Sequence, residues 1–262
     1  MHGAAMFNLT GKIALVSGGR GLYGSVICEG LAEAGAHVII ASRDMAACED
    51  LAAELRKAGH SAEGFALELE SDTSIDALAV HIQKNFGRLN ILVNNAVTRA
   101  HYSGFEDIER EQMLKSLDIN IAGTVMLTKR FIEGMKERKS GSIINIGSIH
   151  SVIGPHFPYY DQGQTSPLGY TIEKWGMVGF TKWLAAYYGS FGIRVNCISP
   201  GGYDPMLEVS RPGFYARYGE NTPLGRWPDR DDIKGPVIFL ASEASRYMTG
   251  VNMMVDGGFT IW

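Results

Sequence analysis

The residues best suited to chemistry stand in the stretch "GYTIEKWG", where Tyr170 and Lys174 lie four positions apart on an expected helix and share one face. A tyrosine is a poor base at neutral pH. An ammonium beside it stabilises the phenolate, and such a pair can take or give the proton when an alcohol and a carbonyl interconvert. Taken alone, Tyr-x-x-x-Lys is a common accident of helical sequence. Other features accompany it here. The run "IINIGS" ends on Ser148, a hydroxyl able to hold a substrate oxygen, and "LDINIAG" sets Asn120 as a polar break in an apolar helix. "VNNA" places Asn94 and Asn95 at the end of a strand-like run.

A second group of residues concerns phosphate. "SGGRGLYG" brings Gly18, Gly19, Gly21 and Gly24 together directly after the apolar run Ile13-Ala14-Leu15-Val16. A helix N-terminus offers free N–H groups and a partial positive charge, and bare backbone lets a pyrophosphate approach them. Gly18, Arg20, Gly21, Leu22 and Gly24 are therefore expected to line a dinucleotide site. The next strand, "HVIIAS", ends in Ser42 and Arg43 and not in the carboxylate that would bind a ribose 2′-hydroxyl. Arg20, Arg43 and a hydroxyl suit a 2′-phosphate, so NADP(H) is favoured. NAD(H) stays open, because Asp44 could reach a ribose or could cap the following helix.

Short strand-like runs must hold these residues in place. They fall at 12–17, 37–42, 62–69, 89–95, 141–148, 193–199 and 252–257, separated by helical patterns. Strands apolar throughout and alternating with helices predict an α/β fold. The expected form is a doubly wound, Rossmann-type parallel sheet of about seven strands with helices on both faces. With no linker or repeat, residues 1–262 read as a single nucleotide-binding domain. A net charge of −4 without a Lys/Arg cluster argues against nucleic acid. No apolar run approaches the ~20 residues of a membrane span. Cys28, Cys48 and Cys197 are odd in number and unpatterned, and no signal-peptide pattern opens the chain, so a reducing, cytoplasmic setting is expected. The helices expected at 114–137 and 170–191 are apolar nearly all round. One sheet covers one face only, which predicts a homodimer or homotetramer. Trp262 is expected at a subunit contact.

In this order the pieces, with "NCISPGG" and the closing "VDGG", resemble the short-chain dehydrogenase/reductase family from about Leu9 to Phe259. The resemblance implies a catalytic tetrad of Asn120, Ser148, Tyr170 and Lys174, with Asn120 completing a proton relay through water. It also implies cofactor contacts from Asn94, Ala96 and the Pro200-Gly201 turn, and tetramers or dimers packed through the two apolar helices. Glu68, beside Leu69, stands where the family's usual Asp lies near the adenine. The spacing Ser17-Gly18-x-x-Gly21-x-x-Gly24 is closer to the larger epimerase-type members, and Val97 replaces a usual glycine.

Between Ser148 and Tyr170 the chain is longer than the family's common spacing. This insertion, at about 150–169, carries His150, His156, Phe157, Tyr159, Tyr160, Asp161 and Gln162. It is either a surface excursion or a pocket wall, and insertions of this kind resemble those of relatives acting on sugars and sugar acids. Residues 203–230 are expected to form a lid bearing Tyr203, Arg211 and Arg217, with Arg99, His101 and Tyr102 at the same mouth. His150, Tyr159, Tyr160, Tyr203 and Arg211 are the expected substrate contacts, for a small polar molecule such as a sugar, polyol or sugar acid. His150 and His156 lack further ligands, so no metal is expected. The leading reading is an NADP(H)-dependent oxidoreductase. An NAD(H) enzyme, an epimerase or dehydratase with retained cofactor, and an idle nucleotide-binding scaffold are the alternatives.

Overall fold

Seven parallel strands form one sheet in the computed structural model, which describes residues 3–161 and 164–262. They are β1 (Ile13–Ser17), β2 (His37–Ser42), β3 (Ser61–Ala66), β4 (Ile91–Asn94), β5 (Gly141–Ile146), β6 (Ile193–Pro200) and β7 (Asn252–Val255). Their order across the sheet is β3-β2-β1-β4-β5-β6-β7. The helices are α1 (Leu22–Glu33), α2 (Met45–Lys57), α3 (Asp72–Phe86), α4 (Arg110–Leu117), α5 (Thr124–Glu137), α6 (Leu168–Tyr188), α7 (Leu207–Ser210), α8 (Pro212–Glu220) and α9 (Lys234–Ala241).

Successive side chains of a strand point to opposite faces. Ile13 and Leu15 therefore join Ile39, Leu92, Ile143 and Val195 under α3, α5 and α6. Ala14 and Val16 join Val38, Ile40, Ile91 and Val93 under α1, α2 and α9. Both faces are covered, which is why the central strands β1, β4 and β5 are buried almost throughout, while the edge strand β3 alternates. Each large aliphatic side chain so buried contributes about 1.5–3 kcal/mol.

The chain enters at β1, winds outward to β3, then returns beside β1 at β4 and winds outward to β7. At this reversal Ser17 pairs with Asn94. Their carboxyl ends open the crevice in which sheets of this kind bind ligands.

The helix expected over 114–137 is helical throughout and changes its winding part-way. α4 ends at Leu117, a π-helical turn covers Asp118–Gly123, and α5 begins at Thr124. The turn packs closely on the loop after β3: a Cβ on Gly123 would lie 2.5 Å from the carbonyl oxygen of Leu69. α6 buries Gly169, Glu173, Lys174, Met177, Thr181 and Leu184 and leaves Ile172, Trp175, Trp183 and Tyr187 exposed. Leu114 and Met126 on α4 and α5 are exposed as well. Among the described residues no helix is long and apolar enough to cross a membrane.

Candidate active site

α1 begins on Gly21, with φ −68° and ψ 171°, and has no capping side chain. α2 and α3 are capped, by Asp44 accepting from the Ala47 N–H at 3.0 Å and Ser71 from the Ser74 N–H at 3.2 Å. The first N–H groups of α1 are thus left for an anion. Behind them the loop is tightly packed. Gly18 has φ 64°, and a Cβ there would fall 2.6 Å from Ala96 Cα. A Cβ on Gly24 would fall 2.1 Å from the Gly18 oxygen. Asn95 Nδ2 donates to the carbonyls of Ser17 and Gly18, at 3.1 and 2.9 Å. Gly21 meets only the Gly18 oxygen, at 3.2 Å, and Leu22 is half exposed.

The end of β2 decides what this cradle can take. Asp44 is occupied as the α2 cap. Ser42 Oγ lies 2.9 Å from Cys48 Sγ, and Arg20 stands in the glycine loop between β1 and α1, with β1 beside β2 in the sheet. The arginine ion pairs among the described residues belong to Arg56, Arg130, Arg217, Arg226 and Arg230. Arg20 and Arg43 at the cofactor end, and Arg99 and Arg211 at the other, are left without a carboxylate. An uncapped helix start, a cradle that a Cβ would fill and two unpaired guanidiniums fit a phosphorylated dinucleotide. Glu68 is exposed, with its N–H held by Ser74 Oγ at 3.0 Å, while Leu69 is buried against Gly123. The Pro200-Gly201 turn is tied to α1, since Tyr23 Oη donates to the Gly201 carbonyl at 2.8 Å.

The four tetrad candidates converge on the opposite side of the crevice. Pro167 caps α6, so Tyr170 sits in its first turn and Lys174 one turn later. Lys174 is buried, donates to the Ile146 carbonyl at 2.8 Å and holds its Nζ 5.6 Å from the centre of the Tyr170 ring. Ser148 is buried and accepts the His150 N–H at 3.2 Å, capping a short 3-10 turn. That turn packs on α6, and His150 sets its ring 5.8 Å from that of Tyr170. Burial pushes the His150 imidazole down to about 4, and its Nδ1 has no partner among the described residues. Arg99 lies 5.8 Å from the Tyr170 ring centre, and Tyr102 meets the same ring edge-on at 5.8 Å. Asn120 stands in the π turn, where its Oδ1 accepts the Thr98 N–H at 2.7 Å and its Nδ2 donates to Glu173 at 2.8 Å. Asn94 points into the interior, donating to Thr128 and Asn145, and its buried Oδ1 has no partner among the described residues.

The insertion and the lid share one aromatic cluster. Ile149, Tyr218, Trp227 and Phe259 form its buried centre, with Tyr159, Phe214 and Tyr215 against it. Arg217 clamps the two segments together, donating to the Tyr159 carbonyl and, at 2.6 Å, to Asp161. Arg217 is therefore occupied as a clamp, and Tyr203 lies against Tyr23 at 5.5 Å between ring centres. Tyr160 packs on Phe214 at 5.0 Å and feels the charge of Arg211. Of the residues expected to touch substrate, His150 is the one whose ring packs on Tyr170. Tyr159 lies in the cluster below, and Gln162 lies outside the described residues.

The family profile described as enoyl-(acyl carrier protein) reductase matches residues 21–260. The chain belongs to the short-chain dehydrogenase/reductase family. It is 32% identical to D-threitol dehydrogenase of Mycolicibacterium smegmatis, over 97% of this chain and 95% of that one. It is 34% identical to 3-oxoacyl-(acyl-carrier-protein) reductase of Pseudomonas aeruginosa, over 96% and 98%. Among solved structures, a gluconate 5-dehydrogenase from Burkholderia cenocepacia, in complex with NADP and tartrate, superposes with a TM-score of 0.89 at 29% identity over all of both chains. This chain is accordingly an NAD(P)-dependent short-chain dehydrogenase/reductase, an oxidoreductase.

Glu173 went unnoticed in the sequence of this dehydrogenase/reductase. It is 2% exposed and accepts from Tyr102 Oη, Ser116 Oγ and Asn120 Nδ2. A signal was available. Glu173 is a carboxylate at the spacing of Gly169 and Met177, which line the inward face of α6.

Proposed function

We propose that this dehydrogenase/reductase prefers NADP(H) and interconverts a secondary alcohol and a ketone on a polar substrate, a sugar, polyol or sugar acid. The observation that carries the cofactor preference is the use of Asp44 as the α2 cap, which leaves Arg20 and Arg43 for a 2′-phosphate. The NADP found in the gluconate 5-dehydrogenase complex supports it. The polar substrate is supported by Arg99 and His150 beside Tyr170, and by the threitol and gluconate chemistry in the names of the relatives.

The bound dinucleotide would rest on Gly18, Gly21, Leu22 and Gly24, and it supplies or accepts the hydride at its nicotinamide ring. The remaining work falls to side chains. Tyr170 gives a proton to the substrate oxygen in reduction and takes it in oxidation. Lys174 places a positive charge beside the phenol, which favours the phenolate form during transfer. Ser148 orients the substrate oxygen, and Asn120 anchors the relay water. Arg99 holds an anionic or hydroxyl-rich substrate over the Tyr170 ring.

A second reading, reduction of a 3-oxoacyl thioester, is favoured by the Pseudomonas relative. An absorbance screen of sugars, sugar acids, polyols and a 3-oxoacyl thioester with each cofactor separates the two. NADPH turnover with a polyol or sugar acid is expected, and Tyr170→Phe should lower kcat roughly 10²–10⁴-fold. NADH preference, or turnover of the thioester alone, would refute the proposal.

The exposed Trp175, Trp183, Tyr187, Leu114 and Met126 support a homodimer or homotetramer packed through α4, α5 and α6. Light scattering giving a monomer mass would rule that out. Three buried free cysteines accord with a cytoplasmic setting.

A further inference from the structure

Glu173 is a carboxylate in a place that ordinarily excludes one. It lies on the buried face of α6, one residue before Lys174, and an apolar side chain would suffice to pack α6 onto α4. Burying such a group costs free energy unless hydrogen bonds satisfy it. Here three donors do so. Oε1 accepts from Ser116 Oγ at 2.5 Å, and Oε2 accepts from Tyr102 Oη at 2.5 Å and Asn120 Nδ2 at 2.8 Å.

Glu173, Lys174 and Asn120 also line one cavity, closed by Asn94, Ile146 and Met177. Its volume is about 10 Å³, enough for about one water. The cavity therefore has Lys174 on one wall and Glu173 on another. On its outer side Glu173 is bonded to Tyr102, whose half-buried ring meets Tyr170 and lies near Arg99.

We propose that Glu173 is a proton-exchange and positioning residue that joins the Lys174–Asn120 cavity to the surface through Tyr102. The inference rests on the oxidoreductase reading above. In alcohol oxidation the proton taken by Tyr170 passes by way of Lys174 to the cavity water, which gives one of its own protons to a Glu173 oxygen. The neutral carboxyl no longer needs the Tyr102 hydroxyl as a donor, so that hydroxyl turns outward, hands its proton to a solvent water and takes the carboxyl proton in its place. The net result is one proton moved from the reacting centre to solvent, with no electron transferred. Reduction runs the same path inward. The same carboxylate fixes the Asn120 amide, since Nδ2 must face Glu173 for Oδ1 to face Thr98 N–H.

The titratable groups around this path are Tyr102 after β4, Tyr170 and Lys174 on α6, and Arg99 beyond Tyr102. α4 and the π turn contribute Ser116 and Asn120, which do not titrate. Burial and the Glu173 carboxylate push the Tyr102 phenol well above its usual range, so it stays protonated and able to donate.

Glu173→Gln keeps the size of the side chain but cannot take the proton. The test compares the native chain with Glu173→Gln, Tyr102→Phe and Tyr170→Phe. The readouts are steady-state rates in H2O and D2O across neutral and alkaline pH, NADPH affinity by fluorescence, and melting temperature. Glu173→Gln should lower kcat roughly tenfold or more and enlarge the solvent isotope effect, because a relayed proton becomes rate-limiting. KM and NADPH affinity should stay within about twofold. Tyr102→Phe should act in the same sense and less strongly. Native pH dependence and isotope effect in Glu173→Gln, while Tyr170→Phe is inactive, would overturn the proposal and leave the oxidoreductase reading standing. So would a loss of rate that merely follows melting temperature. Full activity in Tyr170→Phe would overturn both. If Glu173→Gln does not fold, Tyr102→Phe decides, and an unchanged isotope effect there sinks the idea.

Discussion

The glycine loop and the lid stand at the same carboxyl edge of the sheet, and they are held there in opposite ways. The glycine loop is held by backbone. Gly18 and Gly24 bring main chain to within contact of Ala96 and of each other, and Asn95 stitches the result to β4. The lid is held by side chains. Its aromatic rings share a cluster with the insertion, and Arg217 reaches across to Tyr159 and Asp161. Contacts between backbones tolerate no added atom, whereas an aromatic cluster can be repacked with other residues of similar volume. The cofactor end is therefore the rigid half of the site and the substrate end the adaptable one.

The harshest way to break this contrast is Gly24→Ala. Its Cβ would sit 2.1 Å from the Gly18 oxygen and 2.8 Å from Asn95 Nδ2. Moving that backbone should cost about 1–3 kcal/mol. NADPH affinity should fall at least roughly tenfold, because the α1 N–H groups leave their positions. Unchanged melting and unchanged cofactor titration would show that the loop yields as readily as the lid.

A middle-sized effect is expected from His150, on the substrate side of Tyr170. Burial holds its imidazole down to about 4 in the fold, against 6.5 for the free side chain. Between those values the unfolded chain binds a proton that the folded chain refuses, so stability rises with pH across this window. Nothing is lost above 6.5, and the penalty grows as pH falls toward 4. His150→Phe should therefore gain on the native chain in melting temperature as the pH is lowered through that window. A difference independent of pH would mean that the imidazole reaches water.

Arg217→Ala should have the smallest effect on stability. The Arg217–Asp161 pair has side chains 37% and 42% exposed, and such pairs contribute less than about 1 kcal/mol. Melting should barely shift and NADPH affinity should not, while KM for the substrate rises severalfold as lid and insertion part. An unaltered KM would show that the clamp does not shape the pocket.

Much of this was legible in the chain itself. All seven strands fall on the expected runs, with limits up to three residues off, as at 62–69 where β3 ends at Ala66, because an apolar run continues past the last ladder pair into the loop at the crevice. Tyr170 and Lys174 share a face because helical spacing alone demands it. The ambiguity of Asp44 is real in sequence, since capping and ribose binding ask for the same carboxylate, and the capping bond to the Ala47 N–H at 3.0 Å is visible only in the fold. The π turn carries no signal in its own segment, where "DINIAG" reads as ordinary helix, and the close approach of Gly123 to Leu69 is a tertiary contact. Arg217 read as a ligand candidate because a clamp and a binding arginine look alike until Asp161 is seen beside it.

The sequence by itself determined the parallel sheet, the uncapped glycine start of α1 and the order of the groups able to move a proton. These are properties of local spacing, and the chain cannot hide them. Only the tertiary structure decided which polar groups meet. Tyr102, Ser116 and Asn120 lie 71, 57 and 53 residues before Glu173, and nothing in their types announces that one buried carboxylate will gather all three. Burial makes that meeting obligatory, because a carboxylate removed from water must find donors wherever the packed helices bring them.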